Sequence, residues 1–407
     1  MGARWVARTR QPGVRHRRVT GGRRRLLAAC ALLALLVAGC PAPEREAVDP
    51  GPLPVDWRQV RLPSPDGQGR IVLRDLAACG GRWYAAGAVA DPAGGTSPAV
   101  WSSDDGALWT PVPVVADSYY GQRSVLFSVA CRDGIVAAVG GKVGGAHGNP
   151  RVGTWWQRDD GTLVEVAASF ETYGGPQAVN VSRLAAGPAG WLIVGNRSSG
   201  AAAWVSPDAA QFTLIEGAPE LASDDRGVTW AFDAVAGPSG WLAVGGVLAP
   251  GRIDRDPAVW VSGDGRGWQR STLPGTEAYE EVQRVVLVDG LPVGVGLRGR
   301  AFGAWRQESA GWVAGGVFGR VADGFPSLGA LAVSAGRMMA VVSDGERYGG
   351  WLSVDRGDEW RAVELPLVAP VGAQRSVSLV GVGERWWLAV DDGTVTSLWV
   401  GRLTPTS

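Results

Sequence analysis

Histidine and lysine are nearly absent from this 407-residue chain. It has one lysine and two histidines, and His147 is the only histidine outside a basic N-terminal stretch. A single histidine excludes a multi-histidine metal site and argues against a histidine-based catalytic triad. The glycine-rich segment around Lys142 also lacks the Gly-Lys-Ser/Thr ending of a phosphate-binding loop. We therefore expect no metal and no cofactor.

Acidic residues are missing from the first 39 positions, which contain nine arginines. The apolar run Leu26–Ala38 follows; it is too short to span a bilayer and is typical of a signal-peptide core. Small residues then precede Cys40, as in a bacterial lipobox. We predict a lipoprotein signal peptide in residues 1–39, a lipid on Cys40, a linker in residues 40–54 and an extracytoplasmic, membrane-anchored protein. The alternative is an ordinary signal peptide with an incidental cysteine.

Without that leader the chain has 30 basic and 39 acidic residues, a net charge of −9. Such a domain is a poor binder of nucleic acid or anionic membranes. We therefore expect no nucleic-acid partner, a membrane association through the lipid alone, and a monomer. Cys79 and Cys131 remain as a pair, which we predict to form a disulfide outside the cytoplasm. Two buried free thiols are the alternative.

A repeat of about 50 residues runs through the rest of the chain. Each copy has a short apolar run of small residues, such as Gly240–Gly245, and then a tryptophan 9 to 16 residues later. The seven tryptophans are Trp101, Trp156, Trp204, Trp260, Trp305, Trp351 and Trp399. Short valine-rich runs bounded by glycine favour strands, and no convincing helical period appears. The sequence therefore predicts an all-β fold, a seven-bladed β-propeller in residues 55–407.

The two ends of the repeat region are complementary. The last copy stops at a third strand, and residues 56–63 match the fourth-strand pattern of residues 359–366. We predict that the N-terminal strand completes the last blade, which closes the ring and leaves no open sheet edge.

The turn after several of the tryptophans has the pattern Ser-x-Asp-x-Gly-x-x-Trp. Residues 102–109 and 353–360 fit it, residues 262–268 are one residue shorter, and residues 206–212 and 158–161 are degenerate. Aspartate can accept hydrogen bonds from turn amides, glycine adopts the left-handed conformation and the aromatic ring packs into the blade. We expect these aspartates to be structural.

These turns resemble the Asp-box, or bacterial neuraminidase repeat, of sialidases, sortilin-type receptors and photosystem assembly factors. The resemblance implies a propeller and says little about chemistry. Sialidases are six-bladed and have an Arg-Ile-Pro motif, whereas here Arg70-Ile71-Val72 lacks the proline. Their catalytic residues are therefore not carried over to this chain.

Tyrosines and arginines recur in the loops that face the channel mouth in this topology. The predicted ligand-binding residues are Tyr119, Tyr120, Tyr173, Tyr279, Tyr348, Arg70, Arg123, Arg284 and Arg375. They suit a sugar, peptide or other small polar ligand. The alternative is that the arginines pair with loop acids and the tyrosines cover strand ends.

The leading functional hypothesis is a surface-anchored, non-enzymatic propeller that binds a partner protein or a glycan, with no catalytic residue. The second hypothesis is a sialidase-like glycoside hydrolase that uses loop carboxylates such as Glu171, Glu280 and Glu281 with a tyrosine. The third is an assembly factor for an envelope complex.

Overall fold

The structure is a computed structural model that describes residues 51–65, 69–144, 150–321 and 326–404. The predicted signal peptide, Cys40, most of the predicted linker and His147 lie outside the described residues. Residues Gly51–Ser407 form a unit of their own. Within its described part, no helix has the length and apolar character needed to cross a membrane.

The described strands form seven sheets, one for each blade and almost entirely antiparallel, so the seven-bladed β-propeller is confirmed. The N-terminal strand is β1 (Val55–Val60), and blade 1 contains β2 (Arg70–Cys79), β3 (Arg82–Ala90), β4 (Thr96–Ser103) and β5 (Thr110–Val112). Blade 2 contains β6 (Val114–Val115), β7 (Val125–Arg132), β8 (Ile135–Val143), β9 (Pro150–Gln157) and β10 (Leu163–Glu165), with a 3-10 turn at Gly121–Arg123. In this blade β6 adds a parallel fifth strand beside β10.

The remaining blades each have four strands. After the short helix α1 (Phe170–Tyr173), blade 3 contains β11 (Ala178–Gly187), β12 (Gly190–Arg197), β13 (Gly200–Ser206) and β14 (Thr213–Ile215). Blade 4 contains β15 (Val228–Gly237), β16 (Gly240–Leu248), β17 (Asp256–Ser262) and β18 (Gln269–Thr272). Blade 5 contains β19 (Glu280–Val288), β20 (Leu291–Arg298), β21 (Ala301–Glu308) and β22 (Gly311–Arg320). Blade 6 contains β23 (Ser327–Ser334), β24 (Arg337–Ser343), β25 (Tyr348–Ser353) and β26 (Arg361–Val363), and blade 7 contains β27 (Ser376–Val382), β28 (Arg385–Asp391) and β29 (Thr396–Leu403).

The first strand closes the ring. β1 pairs antiparallel with β29, from Val55 opposite Leu403 to Val60 opposite Leu398, and is the outermost strand of blade 7. The chain before it also contacts blade 6, because Leu53 of the predicted linker bridges to Val363. The predicted N-terminal clasp is therefore confirmed, and it covers the edge that β29 would otherwise expose.

A buried tryptophan in the third strand packs the centre of each of the first five blades. Trp101, Trp204, Trp260 and Trp305 are fully buried, as is Trp155 in blade 2. The repeat in the sequence was aligned on the neighbouring Trp156, but the buried equivalent in blade 2 is Trp155. Trp155 pairs with Ala138 of β8 as Trp101 pairs with Ala85 of β3. Neighbouring strand residues face opposite sides of a sheet, so a shift of one residue selects the wrong tryptophan.

Four outer turns share one hydrogen-bond pattern, in which an aspartate accepts backbone N–H groups of the turn. These aspartates are Asp105, Asp208, Asp264 and Asp355. In blade 1 the pattern in the sequence points to Asp104, but Ser103 and Asp105 form the turn, one residue later. In blade 1 the glycine of the turn, Gly106, has a φ of 72° and accepts a hydrogen bond from Trp387 of blade 7 at 2.9 Å. The turn thus fixes its own hairpin and also seals a junction between two blades.

Blade 5 has no such turn, because β21 and β22 are joined by a tight hairpin at Glu308–Gly311. A cavity of about 1000 Å³ lies beside it, at the junction with blade 4, lined by Trp241, Trp268 and Leu291 among others. At the junction of blades 7 and 1, the turn of blade 1 that contains Gly106 covers the corresponding position.

The two cysteines join adjacent innermost strands. Cys79 ends β2 and Cys131 lies near the end of β7, and the structure links them as a disulfide with their Cα atoms 5.9 Å apart. That Cα distance is typical of disulfides. The bond ties blade 1 to blade 2 at the channel wall, because Cys131 lines the channel.

Candidate functional site

The wall of the channel is shaped by a β-bulge that recurs in the innermost strand of six blades. In each of the six the pairing with the second strand skips one residue at the same position. The skipped residues are Arg74, Phe127, Ser182, Phe232, Gln283 and Gly329. A bulge bends its strand and changes the direction of a side chain. Five of these six residues, all except Gln283, line one mouth of the channel.

The residue after the bulge links neighbouring blades. Asp75 of blade 1 accepts the backbone N–H of Val129 in blade 2 at 2.9 Å. The same link joins blades 2 and 3 through Ser128 and blades 4 and 5 through Asp233, at 3.0 and 3.1 Å. In blade 7, whose innermost strand has no bulge, Ser378 makes the equivalent link to blade 1 at 3.0 Å. Polar side chains that would be costly to bury alone are thus satisfied by the next blade.

Asp75 is the most heavily bonded of these residues. Arg183 donates to both of its carboxylate oxygens at 3.0 Å, and the Ser378 hydroxyl donates at 3.1 Å. Arg183 also lies 3.6 Å from Asp233. Burial would lower the pKa of Arg183, but the two aspartates outweigh it and hold the pKa above its usual range. Burial raises the pKa of Asp233 although Arg183 opposes this.

Arg284 is a cation of the channel wall that forms no ion pair with a carboxylate of the described residues. It donates to the carbonyl of Gln283 on its own strand, and no ion pair within 4.0 Å joins it to a described acid. Burial, and then the positive charge of Arg183, lower its pKa to about 10. Arg284 is still protonated at neutral pH, and the nearby charges of Asp233 and Asp75 offset its burial only in part, without a direct ion pair.

Above these groups the channel opens into a mouth with a cavity of about 350 Å³. It is lined by the rings of Phe127, Phe232 and Tyr348, by Arg183 and Arg284, and by Arg74, Ser182, Gly329, Arg375, Ser376 and Val377. The deeper part is a second cavity of about 270 Å³ that shares Arg183 and Arg284 with the mouth. The two arginines therefore lie where both cavities meet.

The other arginines at the mouth are held by local contacts. Arg74 and Arg70 both pair with the buried Asp391, at 2.5 and 2.9 Å. Arg375 donates to the backbone carbonyls of Val371 and Asp392. Together with Arg183 and Arg284, these five cations face Asp75, Asp233, Asp391 and, beside Arg375, Asp392, so the channel region carries an excess of one positive charge. An anion would be attracted to it in an otherwise acidic protein.

Three of the nine predicted ligand-binding residues line the channel mouth: Arg284, Arg375 and Tyr348. Arg70 stands beside them through Asp391. Burial raises the pKa of Tyr348, which therefore stays a neutral phenol. The ligand-binding role of all nine residues stays a prediction.

Four more of them lie around blade 2 and do not line the mouth. Tyr119 is exposed and stacks beneath Arg123, whose guanidinium carbon is 4.0 Å from the ring centroid. Tyr120 and Tyr173 line a separate cavity. Tyr173 is buried, donates to the hydroxyl of Thr154 at 3.3 Å, and has a pKa raised by burial. The predicted ligand-binding residues of these loops are thus divided between the channel mouth and the cavity in blade 2.

Tyr279 belongs to a third group. Its hydroxyl donates to Glu281 at 2.5 Å, and Arg255 contacts both that hydroxyl, at 3.0 Å, and the carboxylate, at 2.8 Å. Burial, and then the charge of Glu281, raise the pKa of Tyr279. Its neighbour Glu280 pairs with Arg298 at 3.2 Å.

Sequence reasoning missed Arg183, Arg74 and the two phenylalanines of the mouth. A signal was available for Arg183, because Arg74-Asp75-Leu76-Ala77-Ala78 and Ser182-Arg183-Leu184-Ala185-Ala186 align residue by residue. In both strands a charged residue, Asp75 or Arg183, precedes the same Leu-Ala-Ala triplet, and both charged side chains line the channel. The bulge itself has no such signature in the sequence.

Among the described residues no cluster of His, Cys, Asp and Glu could hold a metal ion. No protein-family model matches the chain, and no curated protein is detectably similar to it.

Solved structures of similar architecture do exist. The Trypanosoma rangeli sialidase bound to the inhibitor DANA is 14% identical, with 84% of this chain and 57% of the sialidase covered and a TM-score of 0.41. The Hadza microbial sialidase is 12% identical, with 85% and 68% covered and a TM-score of 0.45. An ulvan lyase of polysaccharide lyase family PL25 is 13% identical, with 81% and 93% covered and a TM-score of 0.47. The chain spans little more than half of the T. rangeli sialidase, and these similarities assign it no activity.

Proposed function

We propose that this chain is a non-enzymatic binding protein that holds an acidic glycan at the mouth of its channel. The observation that carries the proposal is Arg284, a partly buried cation with no carboxylate partner among the described residues. Arg183 is next to it and already neutralised by Asp75 and Asp233. A carboxylate or sulfate of the ligand would supply the missing anion, because guanidinium groups bind such oxyanions through paired hydrogen bonds.

The rest of the mouth suits a sugar ring. Phe127, Phe232 and Tyr348 offer apolar ring faces, and Ser182 and Ser376 offer hydroxyl groups. A cavity of about 350 Å³ is in the size range of small-ligand sites. The remaining mouth arginines are fixed by Asp391 or by backbone carbonyls, so they contribute positive potential without needing to move.

We also propose that the predicted lipid on Cys40 anchors the protein on the outer face of the cell membrane. The propeller begins at Val55, so the segment 41–54 would tether it there. The acidic surface of the domain would keep it off anionic lipids, which leaves the channel mouth open to a ligand.

A glycoside hydrolase is the second candidate, and the contact between Tyr279 and Glu281 favours it. A tyrosine bonded to a carboxylate base can act as a nucleophile. Against it, the pKa of Tyr279 is raised, and Tyr279 packs in an apolar cluster and does not line the channel mouth. If turnover is observed, Tyr279→Phe should abolish it; turnover that survives this change would exclude Tyr279 as the nucleophile.

The test is a binding screen of residues 41–407 against neutral, uronate-bearing, sialylated and sulfated oligosaccharides, with product formation followed in parallel. We expect acidic oligosaccharides to bind more weakly as salt is raised, and to be recovered unchanged. Equal binding of neutral and acidic sugars would contradict the proposal, and so would turnover. If no glycan binds and a protein is cross-linked to the mouth in the native envelope, the ligand is a partner protein and the glycan proposal fails.

A further inference from the structure

A cavity of about 340 Å³ that is separate from the channel lies in blade 2 between the loop that follows β6, strand β9 and helix α1. The residues that decide its chemistry are Tyr120, Arg151, Trp155, Glu165, Phe170 and Tyr173. It shares no lining residue with the channel mouth or with the deeper channel cavity. Its chemistry is therefore independent of Arg284 and of the glycan proposal.

Trp155 lacks a hydrogen bond that its equivalents in four other blades make, and Trp399 of blade 7 lacks it as well. In four blades the indole N–H of the buried third-strand tryptophan donates to a carbonyl of the loop that leads into the same blade. These pairs are Trp101 with Pro63, Trp204 with Thr172, Trp260 with Glu220 and Trp305 with Pro274, at 2.5 to 2.9 Å. The Nε1 of Trp155 is buried and has no hydrogen-bond partner among the described residues. An unpaired buried donor is costly. In the four blades with the bond, a backbone carbonyl accepts this indole N–H.

The loop that should supply this carbonyl is held elsewhere. The backbone N–H groups of Asp117 and Ser118 both donate to one oxygen of Glu165 at 2.9 Å, and the Ser118 hydroxyl donates to the other oxygen at 2.5 Å. Glu165 therefore fixes the loop and has its own charge satisfied by three donors. The cavity lies between this loop and Trp155.

Arg151 is the second unpaired donor of the same cavity. Its guanidinium lies 4.3 Å from the ring centroid of Phe170 and 5.6 Å from that of Tyr120. Its Nε is buried without a partner, and it forms no ion pair with a described acid. Stacking between rings orients a guanidinium and leaves its in-plane N–H donors available for an oxyanion.

We propose that this cavity binds the carboxylate of a small ligand with an apolar body. Arg151 holds the carboxylate, and the apolar part packs against Val152, Val166 and the rings of Phe170 and Tyr173. An oxygen of the ligand accepts the indole N–H of Trp155, as a backbone carbonyl does for the equivalent tryptophan in four other blades. Such a group can be the C-terminal residue of a peptide or a free organic acid, and both present the same chemistry.

The experiment is calorimetric titration of residues 41–407, which contain every strand of the closed ring. The probes are N-acetyl-phenylalanine, its carboxamide, and 3-phenylpropionate. We expect at least one of the two acids to bind and the carboxamide to bind at least tenfold more weakly. Binding of N-acetyl-phenylalanine alone would identify a peptide C-terminus as the ligand type, and binding of 3-phenylpropionate alone would identify a free acid.

Variants separate this site from its surroundings. Arg151→Gln should weaken acid binding at least tenfold, whereas Arg158→Gln, an exposed arginine of the same blade, should leave it unchanged. Gly153→Ala adds a methyl group that meets Trp155 and Glu165 at ordinary contact distances of 3.6 and 3.9 Å. That variant should fold normally and weaken binding severalfold, because it narrows the cavity.

Four results would overturn the proposal. They are equal binding of acid and carboxamide, wild-type affinity of the Arg151→Gln variant, loss of binding in an Arg284→Gln variant, and absence of binding by either acid. The third would move the anion to the channel. Because Gly153→Ala keeps the guanidinium, its effect separates occupancy of the cavity from a general loss of positive charge.

Discussion

Replacement of Asp75 by alanine is expected to lower the free energy of unfolding by about 3–5 kcal/mol, the usual cost of removing one partner of a buried ion pair. Asp75 is 3% exposed and bonds to three blades other than its own, through Val129, Arg183 and Ser378. Its loss leaves the Arg183 cation short of its nearest counter-ion and a backbone N–H without an acceptor. Urea unfolding followed by tryptophan fluorescence measures the change.

Two variants calibrate that result. Asp75→Asn keeps an acceptor for Val129 and removes the charge, so its effect should be smaller than that of alanine. Asp104→Ala removes an exposed aspartate that pairs with Arg82 on the surface, and it should change stability by less than about 1 kcal/mol. If Asp75→Ala were as mild as Asp104→Ala, the links between the blades would not contribute to the stability of the ring.

The second large effect is expected from the disulfide. The Cys79→Ser, Cys131→Ser double variant should lose about 2–4 kcal/mol, because the bond closes a loop of 52 residues and restricts the unfolded chain. It should also abolish any effect of reductant on the unfolding midpoint. Peptide mass mapping under non-reducing conditions checks the pairing directly.

A control on the wild-type protein distinguishes loss of the cross-link from a packing effect of the two serines. Wild-type protein unfolded in reductant should approach the midpoint of the double variant, since both lack the same cross-link. Labelling of both thiols after unfolding of the unreduced protein would contradict the disulfide. It would then favour the pair of buried free thiols.

Much of the fold follows from repetition in the sequence. Each copy of the small apolar run and its tryptophan predicts one blade, and the partial first and last copies predict the clasp between β1 and β29. Which face of a strand a side chain occupies is harder to predict from the repeat, as the alignment on Trp156 instead of Trp155 shows. Two adjacent tryptophans satisfy the same spacing, and only pairing with β8 decides which one is buried.

The candidate site was harder to predict because it depends on bulges. A skipped residue such as Arg74 or Phe127 reaches the mouth only because its strand bends there. The loop tyrosines were visible in the sequence, yet Tyr120 and Tyr173 serve a different cavity from Tyr348. Which loops converge is set by blade geometry, and a single sequence does not encode that locally.

The most direct test of the proposed function is to measure stability and affinity together in the Arg284→Gln variant. Without a ligand, Arg284 is a partly buried cation beside Arg183, so its removal should raise the free energy of unfolding by about 1 kcal/mol. The same change should weaken the binding of an acidic oligosaccharide at least tenfold, a difference of about 1.4 kcal/mol. A variant that loses stability and keeps full affinity would show that Arg284 is a structural residue and would contradict an anion site at the channel mouth.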